Sequence, residues 1–170
     1  MGGHDEGAPT STGSPSWDCA RIVCEVAIEC LDVDAVAISA RGTHGTRELA
    51  AATDGWATRA AELEATAGEG PGHDALILGG EVSAPDLDEA RHRWPRYRAL
   101  AGELGVAAVF AWPVPDGTGA PALLTGFRRQ PGALPYQERV DAAALIALAA
   151  KALRYDRERA GRAGGEANKE

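Results

Sequence analysis

The chain has 170 residues, which is the size of one ordinary domain. Its composition, 45% hydrophobic and 25% charged, is typical of a folded globular protein and excludes wholesale disorder. A formal net charge of −8 disfavours sequence-independent binding of nucleic acid, because that binding depends on Lys and Arg side chains that neutralise phosphates. We therefore expect small molecules or proteins as partners and no direct contact with nucleic acid.

The first residues carry no recognisable targeting signal. Residues 1–16 are small, polar and slightly acidic, whereas a secretory signal begins with basic residues followed by an apolar stretch. We predict a disordered tail over residues 1–15. The longest apolar run, residues 142–150, is too short for a transmembrane helix, which needs about 20 residues. The sequence therefore predicts a cytoplasmic protein with no membrane partner.

The first predicted helix spans residues 16–31 and is apolar over most of its circumference. Its polar residues recur at spacings of three and four and so form one narrow stripe. They are Asp18, Arg21, Glu25 and Glu29. A helix that only covers the sheet of its own domain needs about a third of its circumference to be apolar. A second element must therefore cover the rest of this helix.

The cysteines and histidines show no metal-ligand pattern. All three cysteines lie in the first predicted helix, which excludes a disulfide framework that closes long loops. They are Cys19, Cys24 and Cys30. The histidines are scattered along the chain at His4, His44, His73 and His92. We predict no metal and no cofactor, and we interpret the cysteines as inert, partly buried thiols.

Two β-hairpins are predicted, each from two apolar runs joined by a glycine-containing turn. Their strands are residues 33–40 with 46–53, and residues 106–113 with 120–129. Helical segments and one short strand separate the hairpins. The helices are 56–67, ending at Gly68, then 73–78 and 87–104, the last divided by Pro95. The short strand is 81–85.

The last predicted helix spans residues 136–159 and is apolar nearly all round between 142 and 150. Its alanines allow close approach of another helix. We expect the two terminal helices to pack together on one face of the sheet and against a second subunit, either the same chain or a related protein. Residues 160–170 are predicted to be a disordered tail.

The order of these elements predicts an α+β fold with a largely antiparallel sheet and helices on both faces. One domain over residues 16–159 would contain all of them. The interrupted segments between the hairpins would lie over the face of the sheet opposite the terminal helices. That arrangement leaves a pocket between sheet and loops, which is a usual place for a small ligand.

Short motifs follow one another in a fixed order along the middle of the chain. They are GEGP at 68–71, PDL at 85–87, RWPR at 93–96, the strand residues Gly105-Val106 and Val109-Phe110, and PGAL at 131–134. With this order and spacing, residues 18–153 resemble a GAF domain, of the type found in front of RNA-binding ANTAR domains in bacterial antitermination regulators.

The resemblance implies a GAF/PAS-like sensor domain with a cavity for a small ligand and dimerisation through its terminal helices. Related sequences often carry Cys after GEGP, and this chain has Gly72 there, which puts redox sensing at that point in doubt. Only a short polar tail follows Arg159, so an ANTAR domain and RNA binding in the family manner are not expected here.

Three clusters supply candidate ligand contacts. Glu69, His73 and Asp74 lie beside glycines, where they could act as a general acid and base or simply stabilise a turn. Residues 91–98 are basic and aromatic, and they could bind an anion or form a solvated helix face with Trp94 in the core. Phe110 and Trp112 alternate along one strand with Phe127 beside them, as a pocket wall or as plain core. The candidate ligand-binding residues are Glu69, His73, Asp86, Arg93, Trp94, Phe110 and Trp112.

No Ser or Cys nucleophile lies in a recognised setting, and G-x-S-x-G does not occur. The leading prediction is a non-enzymatic GAF-type sensor that binds a small ligand and signals through a dimer interface or a protein partner. One alternative is an interaction module whose cavity is filled by its own side chains, with no opening lined by Trp94, Phe110 or Trp112. Another, implied by the resemblance, is a reductase of free methionine sulfoxide that uses cysteines around the pocket.

Overall fold

The computed structural model of the chain describes residues 15–42, 44–90 and 92–168. Its strands are β1 (Ala35–Arg41), β2 (Arg47–Ala52), β3 (Val82–Ala84), β4 (Ala108–Val114) and β5 (Ala122–Arg128). Its helices are α1 (Asp18–Cys30), α2 (Gly55–Ala67), α3 (Pro71–Leu78), α4 (Pro95–Leu104) and α5 (Tyr136–Ala167). The strands form one antiparallel sheet in the order β2-β1-β5-β4-β3. The predicted α+β class and both predicted hairpins are confirmed.

Side chains alternate between the two faces of the sheet and so divide the core into two layers. On one face, Val36, Ile38 and Leu124 pack under α1 and α5. On the other face, Ala37 and Leu123 pack under α2, α3 and α4. Helices therefore cover both faces, as predicted.

The terminal helices pack against each other, and a buried carboxylate joins them. Asp156 of α5 is fully buried and accepts hydrogen bonds from the backbone amides of Cys19 and Ala20, at 3.1 and 3.0 Å. These amides belong to the first turn of α1, where backbone N–H groups have no partner within the helix. The predicted packing of the two helices is confirmed, with one helix capping the other.

A second ionic contact attaches α5 to the loop between β4 and β5. Asp116 of this loop is buried, and Arg157 of α5 donates a hydrogen bond of 2.5 Å to its carboxylate. Arg157 also donates to the carbonyl oxygen of Arg41 at 3.1 Å and lies over the ring of Trp17. The second half of α5 is thereby held to the sheet and to the start of α1.

The outward surfaces of α1 and α5 carry large apolar side chains that nothing in the described structure covers. On α1, Ile22 and Val26 are 55% and 40% exposed. On α5, Val140, Leu148 and Tyr155 are about equally exposed. We call these five residues the outer apolar face. None of the helices in the described part of the chain combines the length and apolar character needed to cross a bilayer.

Two element boundaries differ from those predicted by more than two residues. The helix predicted over 87–104 begins only at Pro95, because proline fits the first turn of a helix and disrupts its interior. Helix α5 continues to Ala167, so residues 160–167 are helical where a tail was predicted. This stretch contains no proline, and its three alanines, Arg162 and Glu166 favour helix enough to tolerate its glycines. The tail predicted over 1–15 lies, except for Pro15, outside the described residues.

Candidate functional site

A cavity of about 390 Å³ lies between the sheet and helices α2 and α3. That volume is within the usual range of pockets for small ligands. The sheet contributes Ser39, Arg47, Leu49 and Leu123 to its wall. The helices contribute residues that include Ala61, Glu64, Ala65, His73 and Leu76.

A bulge in the sheet brings the strand residues of this wall together. The pairing of β1 with β2 shifts register between Ile38 and Ser39, so that Ser39 lies opposite Leu49. On its other side Ser39 pairs with Leu123 of β5. Arg47 is two residues from Leu49 on β2 and therefore shares its face of the sheet. Polar and apolar side chains from three strands thus meet beneath α2.

The glycines of the GEGPG segment make room for the carboxylate of Glu64. Glu64 of α2 accepts hydrogen bonds from the backbone amides of Gly72 and His73, at 3.2 and 3.0 Å, and so caps the start of α3. A Cβ atom at Gly70 would collide with this carboxylate, and one at Gly72 would collide with it and with Leu123. Gly70 also has a φ of 153°, which other residues rarely adopt. The motif therefore forms a close-packed wall around a partly buried acid.

Burial changes the protonation chemistry of the cavity. It raises the pKa of Glu64 to about 7, although the amides of His73 and Gly72 favour the charged form. Burial, with the nearby charge of Arg41, lowers the pKa of Arg47. Tyr97 lies behind the cavity, where burial and the charge of Glu64 raise its pKa. Its hydroxyl has no hydrogen-bond partner within the described residues.

Of the seven residues predicted to contact a ligand, His73 lines this cavity. Glu69 instead accepts hydrogen bonds from the amides of Arg96 and Tyr97, at 2.7 and 3.4 Å, and caps the start of α4. Asp86 accepts from the amide of Asp88 within a turn. Both carboxylates stabilise local backbone, which is the role proposed above as the alternative for Glu69.

Trp94 is buried, and its indole nitrogen donates to the carboxylate of Asp74 at 3.0 Å. Arg93 lies over the Trp94 ring at 4.2 Å and forms an ion pair with the same carboxylate at 3.4 Å. Arg98 pairs with Asp88. In the described part of residues 91–98, Arg93 and Arg98 therefore form ion pairs with acids of the same domain, and the Trp94 ring forms part of the core.

Phe110 and Trp112 lie on the opposite side of the sheet from the cavity. Both are buried beneath α1 and α5, with their rings stacked at 6.5 Å. Phe127 lies on the cavity side and packs edge-on against Trp56, so its predicted place beside Phe110 is wrong. Phe127 pairs with Val109, not with Phe110, and neighbouring positions on a strand point to opposite faces.

The sequence analysis did not identify Ser39, Arg47 or Glu64. For Glu64 a signal exists, because it follows Ala57 and Ala60 at helical spacing on the buried stripe of α2. A carboxylate at such a position needs a partner or a cavity. For Ser39 and Arg47 no such signal exists, since their shared face depends on strand pairing and on the bulge.

No cluster of metal-ligating side chains occurs among residues 15–42, 44–90 and 92–168, and the absence of a metal stays a prediction. All three cysteines lie on α1, across the sheet from the cavity. Cys24 is buried, and desolvation followed by the charge of Glu25 raises its pKa to about 12. Cys30 is exposed at the end of α1.

Comparison with known proteins identifies the fold. No family model and no curated protein match the sequence. Among solved structures, the GAF domain region of a protein from Geobacter sulfurreducens PCA has a TM-score of 0.65 at 17% identity, over 81% of this chain and 94% of that one.

Two further solved structures are similar at lower TM-scores. A type II free methionine-R-sulfoxide reductase from Thermoplasma acidophilum has a TM-score of 0.58 at 16% identity, over 82% and 95% of the two chains. A phycoerythrobilin-bound GAF domain from a cyanobacterial phytochrome has a TM-score of 0.56 at 13% identity, over 85% of this chain and 89% of that one. The chain therefore has the fold of GAF domains.

Proposed function

We propose that this chain is a non-enzymatic, cytoplasmic GAF-type regulatory module that binds a small ligand in the cavity between the sheet and helices α2 and α3. The observation that carries the proposal is the cavity itself, whose surface is largely apolar and whose polar lining residues include Ser39, Arg47, Glu64 and His73. Few polar groups within an apolar wall are characteristic of small-molecule sites. Such polar groups can fix the orientation of a ligand.

The alternative function, an interaction module whose cavity is filled by its own side chains, is only partly consistent with the structure. Trp94, Phe110 and Trp112 are buried in the two layers of the core, and none of them lines the cavity. The cavity nevertheless exists at a different place, lined by different residues. The ligand-binding proposal therefore stands on Arg47 and Glu64 and no longer on the aromatic residues.

The non-enzymatic part of the proposal is supported by where the thiols lie. A reductase of free methionine sulfoxide is among the similar structures, and the resemblance implied that such enzymes use cysteines around the pocket. Here Cys19, Cys24 and Cys30 belong to α1, with the sheet between them and the cavity. The order of the GEGP, RWPR and PGAL motifs further favours the type of GAF domain that accompanies antitermination regulators.

We further propose that the outer apolar face forms the contact with a second copy of this chain or with a related protein. Exposed Ile22, Val26 and Leu148 lie on helices that are joined through buried Asp156. Burial of apolar surface of this kind is the main driving force of stable association. A change at the cavity would reach the partner through these two helices.

Native mass spectrometry of protein purified from its own cells tests both parts of the proposal. We expect a dimer mass together with a bound metabolite that is released on denaturation. Ala61→Phe, which fills the cavity, is expected to lack the bound mass because the aromatic ring occupies the space of the ligand. Ala99→Phe, at an exposed position of α4, is the matched control and should retain it.

A chain that never carries bound mass, or whose bound mass persists in Ala61→Phe, would contradict ligand binding in this cavity. The melting temperature of each variant shows whether it folds. If Ala61→Phe fails to fold, Ala65→Phe at the exposed rim of the same cavity replaces it.

Ile22→Glu tests the association separately. Because Ile22 is 55% exposed in the single chain, a charge there is expected to leave folding intact. Buried in an interface without a partner, the same charge should shift the dimer to monomer. Analytical ultracentrifugation checks this, with Ile77→Glu on α3 as the control, since Ile77 is 72% exposed and lies outside the outer apolar face. A monomeric wild type, or equal association in both variants, would contradict the proposal.

A further inference from the structure

The carboxylate of Glu64 already has hydrogen-bond partners within the protein. Both carboxylate oxygens of Glu64 accept a backbone hydrogen bond, one from Gly72 and one from His73. These bonds hold the start of α3 and leave Glu64 with little need for a hydrogen-bond donor from a ligand. A ligand that is recognised mainly as a cation or donor would have to compete with the capping of α3.

The hydrogen-bond donors of Arg47 and Ser39, in contrast, make few hydrogen bonds within the protein. The guanidinium of Arg47 donates one hydrogen bond, to the carbonyl oxygen of Pro121 at 3.0 Å. Within the described residues no carboxylate lies within ion-pair distance of it, and the hydroxyl of Ser39 makes no hydrogen bond. A guanidinium has five N–H groups in a planar fork that fits a carboxylate with two parallel bonds. A ligand that fits this part of the cavity must therefore supply a hydrogen-bond acceptor for Arg47 and Ser39.

The charged side chains that line the cavity favour a ligand whose acceptor group carries a single negative charge. Arg47 lines the cavity from an exposed position at the start of β2, and Glu64 is close enough to influence its pKa. A dianion such as a phosphate monoester would bring its second charge towards Glu64 and Glu62, which also lines the cavity. A monocarboxylate places its single charge against Arg47 and brings no second charge towards these acids.

Most of the remaining surface of the wall is apolar, although Glu62 and His73 also line it, and this apolar surface defines the other part of the ligand. Leu49 and Leu123 project from the sheet, and Ala61, Ala65 and Leu76 project from the helices. A hydrocarbon or aromatic body displaces water from this surface on binding, which is favourable. The space of about 390 Å³ accommodates a compact body together with the carboxylate.

We propose that the cavity binds a small monocarboxylate, whose carboxylate lies against Arg47 and Ser39 and whose apolar body lies among the leucines and alanines of the wall. This inference rests on the proposed function and adds the chemical class of the ligand. Arg47 supplies recognition of the anion, while the acids Glu62 and Glu64 together disfavour more highly charged anions.

The test is a titration of the purified chain, at pH 7, with probes that share a body and differ in the head group. The carboxylates are the series from acetate to octanoate, with benzoate and phenylacetate. The matched controls are hexanamide and benzamide, hexylamine and benzylamine, and phenyl phosphate. By calorimetry we expect the best carboxylate to bind at least about tenfold more tightly than its amide, amine or phosphate counterpart. The amide and the amine lose the charge-assisted hydrogen bond to Arg47, and the phosphate brings a second negative charge towards Glu62 and Glu64.

Variants assign the binding to this site. Arg47→Gln should weaken the best carboxylate at least about tenfold, and Arg47→Lys, which retains the charge but not the fork, should weaken it less. Arg59→Gln, an equal change of charge at an exposed position of α2, should leave the affinity unchanged. Ala61→Phe should abolish binding, and melting temperatures confirm that each variant is folded.

The inference is overturned if no carboxylate of the series binds, if carboxylates bind no more tightly than their amides, or if Arg47→Gln and Arg59→Gln behave alike. Tighter binding of an amine or of phenyl phosphate that Ala61→Phe abolishes would overturn the carboxylate class and leave the proposed ligand cavity intact. Bound metabolite in native mass spectrometry judges the proposed function independently of this series.

Discussion

Arg157→Met is expected to lower the free energy of unfolding by about 3 kcal/mol at pH 7, because it leaves the charge of Asp116 buried without a cation. The Asp116 side chain is 1% exposed, and that of Arg157 is 20% exposed. Methionine keeps most of the apolar stem of arginine, so the loss reports the missing guanidinium, with its contacts to Asp116, Arg41 and Trp17, and not a cavity. Urea denaturation followed by circular dichroism measures the effect.

The matched control is Arg162→Met, at an exposed position of the same helix, with an expected change below about 0.5 kcal/mol. Asp116→Asn combined with Arg157→Met should restore part of the lost stability, since no charge is then left buried. Equal losses in Arg157→Met and Arg162→Met would show that the ion pair does not attach α5 to the sheet as argued here.

The pH dependence of this variant has a definite sign. Burial alone would raise the pKa of Asp116, but hydrogen bonds from Thr118 and Arg157 outweigh it, and the pKa lies below its ordinary value of 3.8. The stabilisation by the pair is therefore present above about pH 4 and is lost as the pH falls through the lowered pKa of the folded state. Below that range the difference between wild type and Arg157→Met should shrink.

Glu64→Gln is expected to change how stability varies between pH 5 and pH 8. Burial raises the pKa of Glu64 from 4.5 to about 7, so the protonated acid stabilises the folded state. This contribution is fully present below pH 4.5 and is lost as the pH rises through 7. The difference between the two pKa values corresponds to about 3 kcal/mol as an upper limit.

Glutamine is neutral at every pH and avoids this loss. It has a constant cost, because its amide oxygen replaces one carboxylate oxygen as acceptor while its amide nitrogen, a donor, cannot replace the other. The variant should therefore be less stable than wild type at pH 5, and the gap should close as the pH approaches 8. Urea denaturation at several pH values checks this, with Glu62→Gln, on the exposed side of the cavity, as the control. Parallel pH profiles for wild type and Glu64→Gln would contradict the burial of an ionisable acid here.

Local sequence patterns were sufficient to predict the helices and hairpins, because these elements depend on residues that are close together in the chain. Gly68 ends α2 in the left-handed conformation, as expected for a glycine after an alanine-rich helix. Both hairpins follow from apolar runs around glycine-containing turns. The apolar character of α1 and α5 predicted both their contact with each other and the exposure of Ile22 and Val26.

The candidate site was predicted less well than the fold. His73 was identified, whereas Glu69 and Trp94 were chosen from a motif whose conspicuous residues stabilise the backbone and the core. Conspicuous residues of a motif can be structural because a tight turn imposes strict demands on caps and glycines. Arg47 belongs to no motif, and its role depends on neighbours far away in the chain.

The sequence by itself determined the order and type of the elements, the two terminal helices with excess apolar surface, and the class of the fold, since helical and strand periods are local properties. Only the tertiary structure decided which face of the sheet each strand residue occupies and where the cavity lies. The physical reason is that a single bulge at Ser39 and the pairing of β1 with β5 bring Ser39, Arg47 and Leu123 together. A register shift of one residue would move these side chains from the cavity wall to the opposite face of the sheet.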